Sequence, residues 1–272
     1  MAVAALGGCD ATYPAATLTR QIPEVVREEH GIDVTATIVG KTLWIYMPTQ
    51  DLIDEENMTW QIPTLERFSK MISVVHRMAL STDAHLDFLV FVAADTKYMG
   101  LEFIAMEYLP DLKEAMLERF SRGEYFMRSI RDVGINPEGH NDTTGASRRF
   151  YDVTFDEFIC LQIIHRIKSR FARDEDLADH YEIRSTTWSQ KFGILKVNVE
   201  FVKKRYDPGP EGEGRPPIEW MKMIAAQVMK TYDYYDKFQA LELNDSFAAD
   251  KVRLSPDDLK KIKIDLPEFL DL

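Results

Sequence analysis

The stretch Leu65-Glu66-Arg67-Phe68-Ser69-Lys70-Met71-Ile72-Ser73-Val74-Val75-His76-Arg77-Met78-Ala79 decides how this chain folds. Leu65, Phe68, Ile72, Val75 and Ala79 recur at steps of 3, 4, 3 and 4, and Met71 and Met78 widen the same stripe. Glu66, Arg67, Lys70, Ser73 and Arg77 lie elsewhere on the turn. This is the period of a helix with one apolar face, and such a face must lie on a sheet or on another helix.

Sheet-forming runs flank this helix on both sides. Upstream, Asp33–Ile38 and Thr42–Met47 read as strands joined by Val39-Gly40-Lys41. Leu43-Trp44-Ile45-Tyr46-Met47 is apolar at every position, which predicts a central strand covered on both faces. Downstream, Asp87–Ala94 and Leu101–Tyr108 pair around the turn Tyr98-Met99-Gly100. Thr17–Glu29 reads as an opening helix closed by Gly31. Leu112–Ile130 reads as one or two helices broken near Gly123, and the polar run Asn136–Gly145, with Pro137 and Gly139, ends the half.

The same order then recurs. Phe155–Phe171 is a helix bearing Phe158, Ile159, Ile163 and Ile167, and Tyr181–Trp188 and Gly193–Phe201 form a hairpin. In the latter strand Leu195, Val197, Val199 and Phe201 alternate with Lys196, Asn198 and Glu200, as one buried face requires. A second amphipathic helix carries Ile218, Met221, Ala225, Val228, Tyr232 and Tyr235. Gln239–Asn244 and Lys251–Leu254 form the last hairpin, and Ser255-Pro256-Asp257-Asp258 caps a short final helix. The expectation is an α+β fold of two similar α-β-β-α-β-β halves, with antiparallel sheet or sheets and helices packed on one side. The expected boundaries are 1–16 for a truncated lipoprotein signal remnant and tether, 17–135 for the first half, 136–150 for the connecting loop and 151–272 for the second half.

Across the 272 residues, 33 Lys and Arg face 45 Asp and Glu, a net charge of −12. Affinity for nucleic acid comes mostly from cations neutralising phosphates, so this balance argues against a nucleic-acid partner. The basic runs His165–Arg173 and Lys203-Lys204-Arg205 are short and read as solvated faces. No run of eighteen apolar residues exists, so no segment spans a bilayer as a helix.

The N-terminus, Met1-Ala2-Val3-Ala4-Ala5-Leu6-Gly7-Gly8-Cys9, carries an aliphatic residue three places before a cysteine and two small residues between. The segment Asp10–Ala16 is rich in small residues and contains Pro14, as a tether would. Leu6-Gly7-Gly8-Cys9 resembles the lipobox of bacterial lipoproteins. The resemblance implies that Cys9 is lipidated and becomes the first residue of the mature chain, which its acyl chains hold at a membrane on the extracytoplasmic side of the cell envelope. A basic n-region and a full apolar h-region are missing from the segment quoted.

Local catalytic motifs are few. Ser81, Asp83 and His85 lie too close along the chain to converge as a triad, and read as a helix-terminating turn. Asp51, Asp54, Glu55 and Glu56 match no Ca²⁺-loop spacing. The six histidines form no His-x-x-x-His pair, and Cys9 and Cys160 form no Cys-x-x-Cys, so no metal site is expected. Phosphate-cradling and dinucleotide glycine motifs are absent, so no cofactor is expected. Ser121, Arg122, Glu124, Tyr125 and Arg128 form a compact polar and aromatic group, and Arg122, Glu124, Tyr125 and Arg128 are the candidates for recognising a ligand or partner. The function this suggests is a membrane-tethered binding or scaffold lipoprotein with a protein partner in the envelope and no catalysis. The alternatives are a hydrolase whose carboxylates assemble only in the fold, and a soluble cytoplasmic interaction protein.

Overall fold

In the computed structural model, residues 12–54, 57, 59–98, 100–139, 141–204, 216–246 and 248–265 are described. Cys9 and the rest of the lipobox-like segment lie outside them, as do Glu55, Glu56 and most of the 204–217 loop. The chain divides into two units, Met1–Asp152 and Val153–Leu272.

The first unit runs α1 (Ala15–His30), β1 (Thr35–Val39), β2 (Thr42–Thr49), β3 (Ile53–Asp54), β4 (Thr59–Trp60), α2 (Ile62–Leu80), β5 (Phe88–Asp95), β6 (Leu101–Tyr108), α3 (Leu109–Met116), α4 (Arg122–Arg128) and β7 (Ile130–Ile135). Gly31 ends α1 in the left-handed region at φ 65°, where its N–H reaches Arg27 O at 2.8 Å. A side chain there would be strained, which is why glycine closes this helix.

The main sheet has the order β1-β2-β5-β6-β7. Its hairpins are antiparallel, but β2 and β5 run parallel, from Thr42 opposite Phe88 to Thr49 opposite Asp95. The antiparallel hairpins expected from sequence are present, and a parallel pair joins them. A helix between two strands returns the chain to its starting end, so the strand that follows must lie parallel to the one before. Leu43, Ile45, Met47, Leu89, Phe91 and Ala93 face Leu18, Ile22 and Val26 of α1 and Phe68, Met71, Val75 and Met78 of α2. Fully burying each such side chain contributes about 1.5–3 kcal/mol, so this layer is the main stabilising element of the unit.

The opposite face holds Trp44 and Tyr46, both buried. The polar segment after β7 runs across it. Trp44 Nε1 donates to Tyr151 O at 2.8 Å and Tyr46 Oη donates to Asp142 O at 2.8 Å. Asp152 Oδ1 accepts from Lys41 N at 2.8 Å and Thr42 Oγ1 at 3.1 Å, and Arg148 pairs with the buried Glu102. Leu43–Met47 is therefore covered on both faces, by helices on one side and by this strap on the other. Gly40, at φ 58°, passes so close to Asp152 that a Cβ would lie 2.1 Å from its carboxylate.

Leu112–Ile130 is not a continuous helical region. α3 stops at Met116, α4 spans Arg122–Arg128 with Gly123 inside it, and Ile130–Ile135 is an edge strand paired with β6. Ser129 turns extended after α4, and the β-branched Ile130, Val133 and Ile135 favour the strand that follows.

The second unit runs α5 (Phe155–Arg173), α6 (Glu175–His180), β8 (Tyr181–Lys191), β9 (Ile194–Lys203), α7 (Pro217–Thr231), β10 (Ala240–Asp245), β11 (Asp250–Leu254) and α8 (Pro256–Lys261). Its sheet, β11-β10-β9-β8, again has two antiparallel hairpins joined by a parallel centre, β9 with β10. Both units thus carry the α-β-β-α-β-β order, with β1-β2-β5-β6 arranged as β8-β9-β10-β11 are, and β7 extends the first sheet by one strand. Leu195, Val197, Val199, Phe201, Leu241 and Leu243 pack under Ile159, Ile163 and Ile167 of α5 and Met221, Ala225 and Val228 of α7. The other face is polar: Asn198 Nδ2 donates to Thr187 Oγ1 at 2.9 Å, Asn244 Nδ2 to Asn198 Oδ1 at 2.6 Å, and Ser185 Oγ to Glu200 Oε2 at 3.0 Å. A Ser255–Asp258 capping box opens α8.

Candidate functional site

α2 carries a second stripe beside the one that packs on the sheet. Leu65, Ser69, Ile72 and His76 step by 4, 3 and 4 along its flank, toward the outer strands β6 and β7. A cleft of about 240 Å³ opens there, lined by Leu65, Ser69 and Ile72 from α2, Trp60 from β4, Phe68, and Phe103, Ala105, Glu107 and Arg131 from the sheet. Three aromatic rings meet at one end, Trp60 and Phe103 at 5.5 Å and Phe68 and Phe103 at 5.4 Å, both edge to face. Phe103, Ala105 and Glu107 alternate along β6 and so share its helix-side face, and β7 places Arg131 directly opposite Ala105.

Glu107 is the buried carboxylate of this cleft, 4% exposed. Its Oε2 accepts from His76 Nε2 at 2.5 Å and from the Tyr125 hydroxyl at 2.9 Å. Burial first, and the Glu107 charge second, hold the Tyr125 phenol far above its ordinary pKa. The ring of His76 stands edge to face on Phe91, centroids 5.9 Å apart. Arg131 lies over the Phe126 ring with its Cζ 3.5 Å from the centroid, a cation–π contact.

Of the residues expected from sequence, Tyr125 reaches this site. Arg128 and Glu124 do something else. Arg128 Nη1 donates to Asp111 Oδ1 at 2.9 Å and its Nε to Glu124 Oε1 at 2.8 Å, while its Cζ sits 4.2 Å over the Phe120 ring. These contacts fasten α4 to α3. Arg122 is exposed on the first turn of α4, and Ser121 caps that helix by accepting from Glu124 N at 3.1 Å. Cys9 lies outside the described residues. Sequence reasoning missed His76, Glu107 and Arg131. The four-three-four stripe through Ser69 and His76 was a signal that could have marked the flank.

The Ser81-Asp83-His85 group ends α2 as a turn: Ser81 is its C-cap and Asp83 Oδ1 accepts from Ala15 N at 2.6 Å. A larger, open hollow of about 750 Å³ lies by α1 and β1 and is lined mostly by small side chains, with His85 at its edge. Among the described residues, no group of three or more His, Cys, Asp or Glu could hold a metal ion, and no helix is long and apolar enough to cross a membrane. Comparison with protein-family models, with curated proteins and with solved structures gave no match.

Proposed function

We propose that this is a binding or scaffold protein of the bacterial cell envelope, held at the membrane through lipidated Cys9, and that the α2–β6–β7 cleft of its first unit is where it binds. The cleft carries this reading. It is concave and apolar, with a few convergent polar groups, which is the usual make-up of a ligand site. Its ionisable groups suit recognition better than reaction. Glu107 already accepts from His76 and Tyr125. The hydroxyl in the cleft nearest in sequence to His76 is Ser69, seven residues away on the same helix. Seven residues of helix span about 10.5 Å, beyond the roughly 2.6–3.2 Å that a nucleophile and its base need.

The tether rests on Leu6-Gly7-Gly8-Cys9 and the small-residue run that follows. The net charge of −12 disfavours nucleic acid. The test is palmitate labelling of the protein expressed in bacteria from its native upstream region, beside Cys9→Ser. Label on the wild type that the substitution abolishes supports the tether. An unlabelled protein recovered from the cytoplasm overturns it and favours a cytoplasmic interaction protein.

A further inference from the structure

Every half-buried arginine of the first unit other than Arg131 has a carboxylate in hydrogen-bond contact: Arg128 has Asp111 and Glu124, and Arg148 has Glu102. Arg131 lines the cleft, yet no carboxylate among the described residues hydrogen-bonds it. Its neighbour Glu107 is the natural counter-ion, but that carboxylate accepts from His76 and Tyr125 instead. The Phe126 ring covers one face of the guanidinium, and since Arg131 is half-buried and none of its nitrogens is among the fully buried atoms that lack a partner, its N–H edge is open to solvent or to a ligand. A partly desolvated cation without an ion-pair partner is stabilised by an anion that can reach its donors. The surrounding side chains dehydrate Arg131 and lower its pKa, and the Glu107 charge offsets only part of that. A group held in this way, beside a hydrocarbon-lined space, is matched by a ligand that brings its own carboxylate.

We infer that the cleft binds a small apolar carboxylate, an aryl or branched aliphatic acid, whose hydrocarbon part lies among Trp60, Phe68, Ile72 and Phe103 and whose carboxylate meets Arg131. The inference rests on the cleft being the binding site proposed above. Guanidinium and carboxylate form charge-assisted, often two-point hydrogen bonds. The volume of about 240 Å³ is below the roughly 300–1,000 Å³ of drug-sized sites, so the ligand is small. Both donors to Glu107 fall on Oε2, and its carboxylate makes no hydrogen bond to the guanidinium.

The test is isothermal titration calorimetry of the full chain with three probes of one shape: 3-phenylpropionate, its neutral amide, and 3-phenylpropylamine. The acid should bind, with the amide and the amine weaker by at least about tenfold. Arg131→Gln should reduce acid binding by at least about the same factor. Ser69→Trp, made at an exposed position on the cleft wall, should block the space and abolish binding while circular dichroism stays unchanged. If acid and amide bind alike, or if Arg131→Gln leaves acid binding intact, the inference fails while the cleft remains a binding site. Preference for the amine, lost in Glu107→Gln, overturns it in the same way. If no probe binds and Ser69→Trp changes nothing, the inference and the binding role of the cleft fail together.

Discussion

The Tyr125 hydroxyl donates to Glu107 Oε2 at 2.9 Å, joining α4 to the end of β6 beneath the flank of α2. The same oxygen accepts from His76 Nε2 at 2.5 Å, so three elements converge on one buried carboxylate. A hydrogen bond to a charged group contributes about 1.5–3 kcal/mol. Tyr125→Phe should therefore lower stability by about 1–3 kcal/mol, read as a lower midpoint in denaturant. Glu107→Ala should cost more, because it strands two donors at once. An unchanged midpoint for both would show that the junction does not hold the unit together.

The Cys160 thiol is buried in α5, and burial, with Asp156 and Glu157 nearby, pushes its pKa up to about 12. It should stay protonated across the physiological range, and a thiolate is the reactive species. In the Cys9→Ser chain, a disulfide-exchange reagent at pH 8 should modify Cys160 only after denaturant is added. Rapid modification of the folded chain would contradict this burial.

Asp142 organises the strap: Oδ1 accepts from Thr144 N and Gly145 N, at 2.8 and 2.9 Å, and Oδ2 from Ser147 N and Ser147 Oγ, at 2.8 and 2.6 Å. Burial works against the charged form, but the bonds from Ser147 and Thr144 outweigh it, and the carboxyl is held well below the ordinary range. A depressed folded pKa gives stability that is present above the unfolded value, about 3.9, and is lost as pH falls below it. Asp142→Asn should flatten the fall in thermal midpoint below about pH 4. An acid limb as steep as that of the wild type would remove Asp142 from the account.

At the alkaline end, Tyr46, Tyr125 and Tyr234 are all held above the ordinary phenol range, chiefly by burial. Raised folded values give stability that is complete below the unfolded pKa, about 10, and is lost as pH rises further. These three phenols should stay neutral until alkaline unfolding. Ultraviolet titration should show a cooperative tyrosinate step coincident with loss of circular dichroism, and gradual ionisation of all eleven tyrosines before unfolding would contradict it.

The paired order of elements was legible because helix and strand periods are local. Leu43–Met47 announced a doubly covered strand, although nothing in the polar run after Asn136 announced what covers it. That strap binds partly through backbone oxygens of Asp142 and Tyr151, which any residue can supply, and partly through the side chains of Arg148 and Asp152, whose partners Glu102, Lys41 and Thr42 lie far away along the chain. α2 shows the limit of periodicity. Its 3.6-residue repeat is visible, but which flank faces a cleft depends on how far the sheet extends. β7, which carries Arg131, is a short edge strand that starts at Ile130, where the helical reading stops, and no strand is read in it from sequence, so the cleft's cation was hidden. Tyr125 stood out by composition, whereas its partner Glu107 lies on another element 18 residues earlier.

The most direct test of a tethered binding protein is the mass of the N-terminal peptide of the mature chain purified from cell envelopes. The account predicts a peptide that begins at Cys9 and carries diacylglycerol, with residues 1–8 gone. An unmodified peptide that still contains Met1–Gly8 would contradict it.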